Sequence, residues 1–309
     1  MPRARTLACP ASLKGVLSAR DAARALAQGL REWSDADELP VADGGEGTLD
    51  VLHARIGGEW RETEVHDAFG RLRLAKTLWH GFNVSVEAAQ VIPLDPSRLD
   101  PINASSRGLG ELILSIGEPR ELFVGLGGTA NVDGGAGLLE LVDTLPPATR
   151  VACDVDVPLV DAVRVFAAQK GATAEQLPEL EARLAHLAPY ADLPGAGAAG
   201  GLGAAFASLG AELLPGAAFL LDLLEFDPAA YDLVVTGEGT VDATTQRGKA
   251  PGEIANRCRA AGVRCVVFGG RLVEPLPGVE TVELSGEPAQ AREDLVELGL
   301  RLGGLGAAG

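Results

Sequence analysis

The stretch Tyr231-Asp-Leu-Val-Val-Thr-Gly-Glu-Gly239 is a short apolar run that ends in glycine and acid. The same unit recurs in RTLAC (Arg5 to Cys9), ELFVGLGG (Glu121 to Gly128), RVACD (Arg150 to Asp154) and VRCVVFGG (Val263 to Gly270). Runs this short, apolar on both faces, suit parallel strands covered by helices. In open α/β sheets ligands sit at the carboxyl ends of the strands, and the glycines and acids of these runs fall at those ends. The recurrence predicts an α/β fold with a mainly parallel sheet.

The intervening segments support this reading. Ser18, with Asp21 three residues on, marks a capping-box-like helix start, and Leu26 and Leu30 then share one face. Leu49, Leu52 and Ile56 keep helical spacing until Gly57-Gly58. Between Trp60 and Gln90, RLRLAKTLW and NVSVEAAQ alternate and read as antiparallel strands. The organisation expected is two α/β domains: a discontinuous one at 1–60 and 225–309, and an inserted one with a mixed sheet at 61–224. No internal repeat is visible, and the terminal GGLGAAG reads as disordered.

Composition excludes several function classes. The 309 residues exceed what one hydrophobic core usually supports. A net charge of −17, from 26 basic and 43 acidic residues, argues against nucleic acid or an anionic membrane as partner. Any anionic substrate then needs locally placed cations. Cys9, Cys153, Cys258 and Cys265 show no CxxC or zinc spacing and read as reduced, structural residues of a cytoplasmic protein. The N-terminal MPRARTLACPASLKG has too few apolar residues for a signal peptide. Leu193 to Ala211 is uncharged over about the length of a membrane span, but glycine and alanine make it a tight internal wall rather than a span.

The stretch Pro40-Val-Ala-Asp-Gly-Gly-Glu-Gly-Thr-Leu-Asp50 places Asp43 and Glu46 among three glycines where a helix begins. Glycine allows a backbone to approach a ligand, and a helix start offers free N–H groups to phosphate. Acids repel phosphate unless a divalent cation intervenes, and Mg²⁺ is held by one or two carboxylates with phosphate oxygens. The pattern points to phosphoryl chemistry. Competing motifs are weak: Gly125 to Ala130 fits G-x-G-x-x-A after a strand, yet lacks the acid that follows in dinucleotide sites. Gly248-Lys249 lacks the leading glycine and the Ser/Thr of a Walker A loop. No nucleophile elbow or zinc pair accompanies His53, His66, His80 and His186, of which His66, beside Asp67, is the best candidate.

PASLKGVLSARDAA, PVADGGEGTLDVL, GLGGTANVDGGAGLL, VACDVDVPL, AAQKGA, PGAGAAGGLGAA and DLVVTGEGTVDATTQRGKAP, in this order, resemble the glycerate kinase type I family from about Thr6 to Pro251. Each motif alone is modest; the ordered set is specific. The resemblance implies ATP-dependent, Mg²⁺-requiring phosphorylation of D-glycerate. It also implies two α/β domains, one flavodoxin-like and discontinuous, with the active site between them. The partners expected are D-glycerate and ATP; a homodimer stays open, as do another small hydroxy acid as substrate and a non-catalytic ligand-binding relative.

Phosphoryl transfer requires positioning and charge neutralisation, and the candidate residues follow from that. Lys14, after the first strand, is expected to hold a phosphate or the glycerate carboxylate. Asp43 and Glu46 are expected to hold metal or the glycerate hydroxyls, with Gly44, Gly45 and Gly47 letting the backbone approach. Asp133 is a metal ligand or the base for the hydroxyl, or else a turn-forming residue. Glu238 and Asp242 suit metal or nucleotide, and Lys249 a phosphate. Ser12, Gly127, Gly128 and Thr129 complete the expected phosphate and substrate contacts; Asp154 and Lys170 are weaker candidates. The chain departs from the family pattern at Ala11, where an acid is usual, at Arg107 and Val157, and at Thr240, where arginine is usual. It is also shorter, with loops lost before Val151 and before Gln169.

Overall fold

The computed structural model describes residues 3–305. The described residues form two compact units, 3–42 with 220–305 and 43–219. The division falls after Ala42, not after Trp60 as the sequence suggests, because the helix Thr48–Ile56 packs within the inserted unit. Glycine explains the attachment: a Cβ on Gly44 would lie 2.7 Å from the carbonyl oxygen of Ala152.

The first unit is built on one parallel sheet. Its strands are β1 (Ala4–Ala8), β2 (Ser34–Glu38), β9 (Leu233–Val241), β10 (Arg264–Leu272) and β11 (Glu280–Glu283), ordered β11-β10-β9-β1-β2. Every pairing is parallel, with Leu7 opposite Val234 and Val266 opposite Val235. In order of appearance this is the flavodoxin-like arrangement, whose chain reverses its direction of growth between β1 and β9. Successive strand residues point to opposite faces: Val266 and Phe268 join a core with Leu26, Leu30 and Leu298, while Val267 joins Val241, Ala255 and Leu276.

The helix Ala19–Leu30 begins as its sequence dictates, with the Ser18 hydroxyl accepting the Asp21 N–H at 3.0 Å. It packs on the C-terminal helix Ala291–Leu305 through glycines, since a Cβ on Gly29 would lie 2.0 Å from the Val296 carbonyl. Part of the expected disordered tail is therefore helical: Gly303 sits against Trp33, whose indole N–H donates to the Gly299 carbonyl at 2.8 Å. The remainder of GGLGAAG, 306–309, lies outside the described residues.

The inserted unit carries a six-stranded mixed sheet in sequence order: β3 (Glu59–His66), β4 (Leu72–His80), β5 (Asn83–Glu87), β6 (Glu121–Gly125), β7 (Ala148–Cys153) and β8 (Glu212–Pro215). β3, β4 and β5 pair antiparallel, while β5 to β8 pair parallel. β5 thus joins both halves, and NVSVEAAQ is only partly strand, because Ala88–Val91 turns into helix. Its core gathers Val86, Leu109, Leu112, Val124, Val151 and Phe206. In the glycine-rich segment, Ala198–Ser208 is helical except at Ala199, Gly200 and Gly201, which have left-handed backbone. A Cβ on Gly200 would lie 2.2 Å from the Asn131 carbonyl, so the expected tight wall is there. Among the described residues, no helix is long and apolar enough to cross a membrane, and all four cysteines are free thiols.

Candidate functional site

In the first unit, the predicted residues gather at the carboxyl ends of β1 and β9. The loop after β1 is tied to β9 by the Ala11 N–H, which donates to the Gly237 carbonyl at 2.9 Å. Leu13 and Leu17 close a small bridge that turns Lys14 outward into solvent. Glu238, at the end of β9, accepts from the Thr245 hydroxyl at 2.7 Å and pairs with Lys249 at 3.1 Å. Lys249 stands at the N-terminus of the helix Ala250–Ala261. Asp242 caps its own turn through the Thr244 N–H at 2.8 Å and the Thr244 hydroxyl. Partial burial works against its charge, but Thr244 and nearby Lys249 outweigh that and hold its carboxyl below the ordinary value. Ser12, Lys14, Glu238 and Lys249 line one cavity of about 720 Å³; Asp242 stands beside it in sequence but is not part of its wall.

In the inserted unit, the loop Asp43–Thr48 lies against the ends of β5, β6 and β7. The Gly127 N–H donates to the Gly44 carbonyl at 3.1 Å. A Cβ on Gly127 would lie 2.5 Å from the Gly45 Cα and 2.9 Å from a carboxylate oxygen of Asp154. The glycines of both motifs therefore bring backbone against backbone, an arrangement no side chain would tolerate. Asp43 accepts the Gly45 N–H at 3.1 Å, while Glu46 is exposed. The first turn of the helix Thr48–Ile56 is already occupied: Glu87, 1 % exposed, accepts the Leu49 N–H at 2.6 Å. Burial pushes the Glu87 carboxyl up to about 7, against the hydrogen bonds it accepts.

The following turn is also self-satisfied. Asp133 is buried and accepts from the Ser106 N–H and hydroxyl, both at 2.7 Å, from the Asn131 amide at 2.8 Å, and from the Gly135 and Gly137 N–H groups. This is the geometry of a turn-holding carboxylate. Lys170, 4 % exposed, donates to the Asn131 carbonyl at 2.7 Å and approaches the Thr129 hydroxyl at 3.4 Å. Burial lowers its ammonium to about 8 although Asp154 and Asp133 favour the charge. Thr129 and Gly127 are consequently interior positions, and Gly128 is half-buried.

The structure thus distributes the predicted residues over two clusters: Ser12, Lys14, Glu238, Asp242 and Lys249 in one unit, Asp43 to Glu46, Gly127 to Thr129 and Asp133 in the other. Among the described residues, no three His, Cys, Asp or Glu side chains form a metal cage. His66 is taken up by a surface pair with Glu111 at 3.0 Å. Glu87 and Ser106 escaped sequence reading because each acts through a partner distant in the chain.

The glycerate kinase family model matches residues 6–145 and 146–286. The chain belongs to the glycerate kinase family. It is 35 % identical to the glycerate 2-kinase of Escherichia coli (strain K12), over 86 % of this chain and 84 % of that one. It is 33 % identical to the glycerate kinase of Bacillus subtilis (strain 168), over 87 % and 85 % of the two chains. The fold matches a crystal structure from Salmonella typhimurium LT2, provisionally assigned as glycerate kinase 2, with a TM-score of 0.75, 29 % identity and 99 % coverage of both chains. For this glycerate kinase family member the two matched segments meet at 145/146, inside the inserted unit, so both units fall within the family's pattern.

Proposed function

We propose that the protein is a glycerate kinase that transfers a phosphoryl group from ATP to D-glycerate with Mg²⁺. The observation that carries this reading is the Lys14, Glu238 and Lys249 set in one cavity at the carboxyl ends of β1 and β9, in a chain whose family is kinase. Ligands of open α/β sheets gather at such a reversal point. Lys14, Lys249 and Ser12 contribute charge and hydrogen bonds to phosphate oxygens, which accumulate charge in the transition state. Lys249 is oriented for this by its pair with Glu238.

Mg²⁺ is held by one or two carboxylates with phosphate oxygens; Glu238 and Asp242 would hold it here, Glu238 by giving up its pair with Lys249 and Asp242 by turning from Thr244. The cation would neutralise phosphate charge. Asp43 and Glu46, with the backbone of Gly44 and Gly45, serve glycerate and its hydroxyls. Asp133 and the Gly127–Thr129 backbone hold the adjoining turn in place. A cytoplasmic setting is in keeping with the free thiols. An ATP-consumption assay coupled to ADP release, run with D-glycerate and a panel of other small hydroxy acids, tests the reading. Glycerate-dependent ADP release supports it; release with another hydroxy acid alone moves the substrate, and none with any acid refutes kinase activity.

A further inference from the structure

Lys170, in the inserted unit, is buried beneath the turn that follows β6. It ends the short turn Ala168–Lys170, after the helix Leu159–Phe166. The next residue, Gly171, is locked in place, since a Cβ there would lie 2.6 Å from the Leu99 Cβ. Ala167 and Ala172, on either side of the lysine in sequence, belong to an apolar cluster with Val132 and Val163. The ammonium therefore lies in the interior, donating to the Asn131 carbonyl at 2.7 Å and approaching the Thr129 hydroxyl at 3.4 Å. Burying an ammonium is costly, and well-packed apolar residues serve stability as well or better. Stability does not explain the charge.

Two carboxylates favour that charge, Asp154 more than Asp133. Asp133 is already saturated by donors from Ser106, Asn131, Gly135 and Gly137. Asp154, just past the end of β7, is half-buried and reaches the surface. One of its oxygens lies against Gly127, where a Cβ would come within 2.9 Å of that oxygen and 2.5 Å of the Gly45 Cα. Asp154 thus stands at the contact between the two glycine turns, one of which carries Asp43 and Glu46. Lys170 supplies the interior charge that compensates it.

We propose that Lys170 is a positioning residue for glycerate: it holds the Asp154 carboxylate at the Gly127–Gly45 contact, where Asp154 accepts a glycerate hydroxyl beside Asp43. The inference rests on the reading of the protein as a kinase with this loop on its glycerate side. Carboxylates are strong acceptors for hydroxyls, but they repel the substrate's own carboxylate, and Asp43, Glu46 and Asp154 do so together. A buried cation beside Asp154 offsets that repulsion, and in a poorly solvated interior its charge is felt more strongly than in water. The ammonium spends its hydrogen bonds on Asn131 and Thr129. Lys170 therefore acts through Asp154 and touches no substrate.

Steady-state kinetics of the full chain, with glycerate and ATP varied in turn at saturating Mg²⁺, test the inference through Lys170→Met, Asp154→Asn and the double variant. Each single variant is expected to lower kcat/KM for glycerate at least about tenfold, as a misplaced substrate does, with the KM for ATP unchanged. The double variant is expected to lose about as much as Asp154→Asn alone, because Lys170 acts through that carboxylate. Lys170→Gln, which keeps a donor for the Asn131 carbonyl but no charge, is expected to fail as Lys170→Met does. Additive losses in the double variant, a KM for ATP raised as much as that for glycerate, or glycerate kinetics indifferent to Lys170→Met overturn the inference. Should Lys170→Met not fold, as its melting curve would show, Asp154→Asn at its half-buried position carries the test, and an unchanged kcat/KM for glycerate overturns the inference. No turnover of glycerate by the unmodified protein is a different failure: it removes the kinase reading, and this inference with it.

Discussion

The buried carboxyl of Glu87, at the end of β5, accepts the backbone N–H of Leu49 in the first turn of the helix Thr48–Ile56 at 2.6 Å. Gly47, the residue before this helix, has no side chain to cap it, and Glu87 supplies the missing acceptor from another element. The relationship pins the start of the helix that follows Asp43 and Glu46. It also places a carboxyl that titrates near 7 under that loop.

The sign of the resulting pH dependence is fixed. The folded protein holds the Glu87 proton up to about 7, against an ordinary value of 4.5, so it binds more protons than the unfolded chain between these limits. The stabilisation is complete below the ordinary value and is lost as pH rises through about 7. Glu87→Gln keeps an acceptor for Leu49 and removes the titration. Its melting temperature is expected to fall less than that of the unmodified protein between pH 5 and pH 8, measured calorimetrically. Parallel curves would show that Glu87 does not titrate in this range.

Asp43 accepts the Gly45 N–H at 3.1 Å, a bond that the carbonyl oxygen of asparagine can also make. Asp43→Asn is therefore expected to leave the fold intact while removing the charge proposed to serve metal or substrate. On the proposed activity, turnover with glycerate is expected to fall by orders of magnitude in steady-state kinetics. Unchanged turnover with unchanged Mg²⁺ dependence would reduce Asp43 to a loop-ordering residue.

The antiparallel β4 was recognisable by its alternation, and the parallel strands recognisable in sequence were mostly the apolar, buried ones. Leu233, Val234 and Val235 are all buried, and their apolar run carries that fact. β2, β8 and β11 were not legible: each is a sheet edge, and Ser34-Asp-Ala-Asp-Glu38 is polar because an edge meets solvent. The two glycine motifs were legible as close approaches, but not what approached. Gly44 and Gly127 meet each other's backbone, a long-range packing fact that no local pattern encodes. Asp133 shows the same limit: its Asx-like turn is visible in sequence, whereas its bonds to Ser106 are not. Thr240 stands where resemblance predicts arginine, and Arg271, its registered neighbour on β10, lines the same cavity.

Lys14 is exposed and has no ion-pair partner among the described residues, so its charge is available to a ligand. If it neutralises the transferring phosphoryl group or the substrate carboxylate, Lys14→Met loses about 3 kcal/mol of transition-state stabilisation, about a hundredfold in kcat/KM. The variant is expected to melt normally, since an exposed, unpaired lysine contributes little to stability. Kinetics like those of the unmodified protein would leave Lys14 a solvated side chain.

Ala11 is half-buried, and its N–H bonds the Gly237 carbonyl one residue before Glu238. The resemblance leads one to expect an acid at this position, which would orient Lys14 or contribute to Mg²⁺. Glu238 already engages Lys249 at 3.1 Å and Thr245 at 2.7 Å, so acidic function exists nearby without position 11. Ala11→Asp would bring a second carboxylate toward Glu238, and like charges disfavour joint ionisation. It would also compete for the same small group of cations, in a chain already at −17. ATP-dependent phosphorylation of D-glycerate by Ala11→Asp is therefore expected to equal or fall below that of the unmodified protein, measured as kcat/KM under saturating Mg²⁺. A gain of about tenfold or more, about 1.4 kcal/mol of transition-state stabilisation, would show instead that the site is impaired for want of that acid.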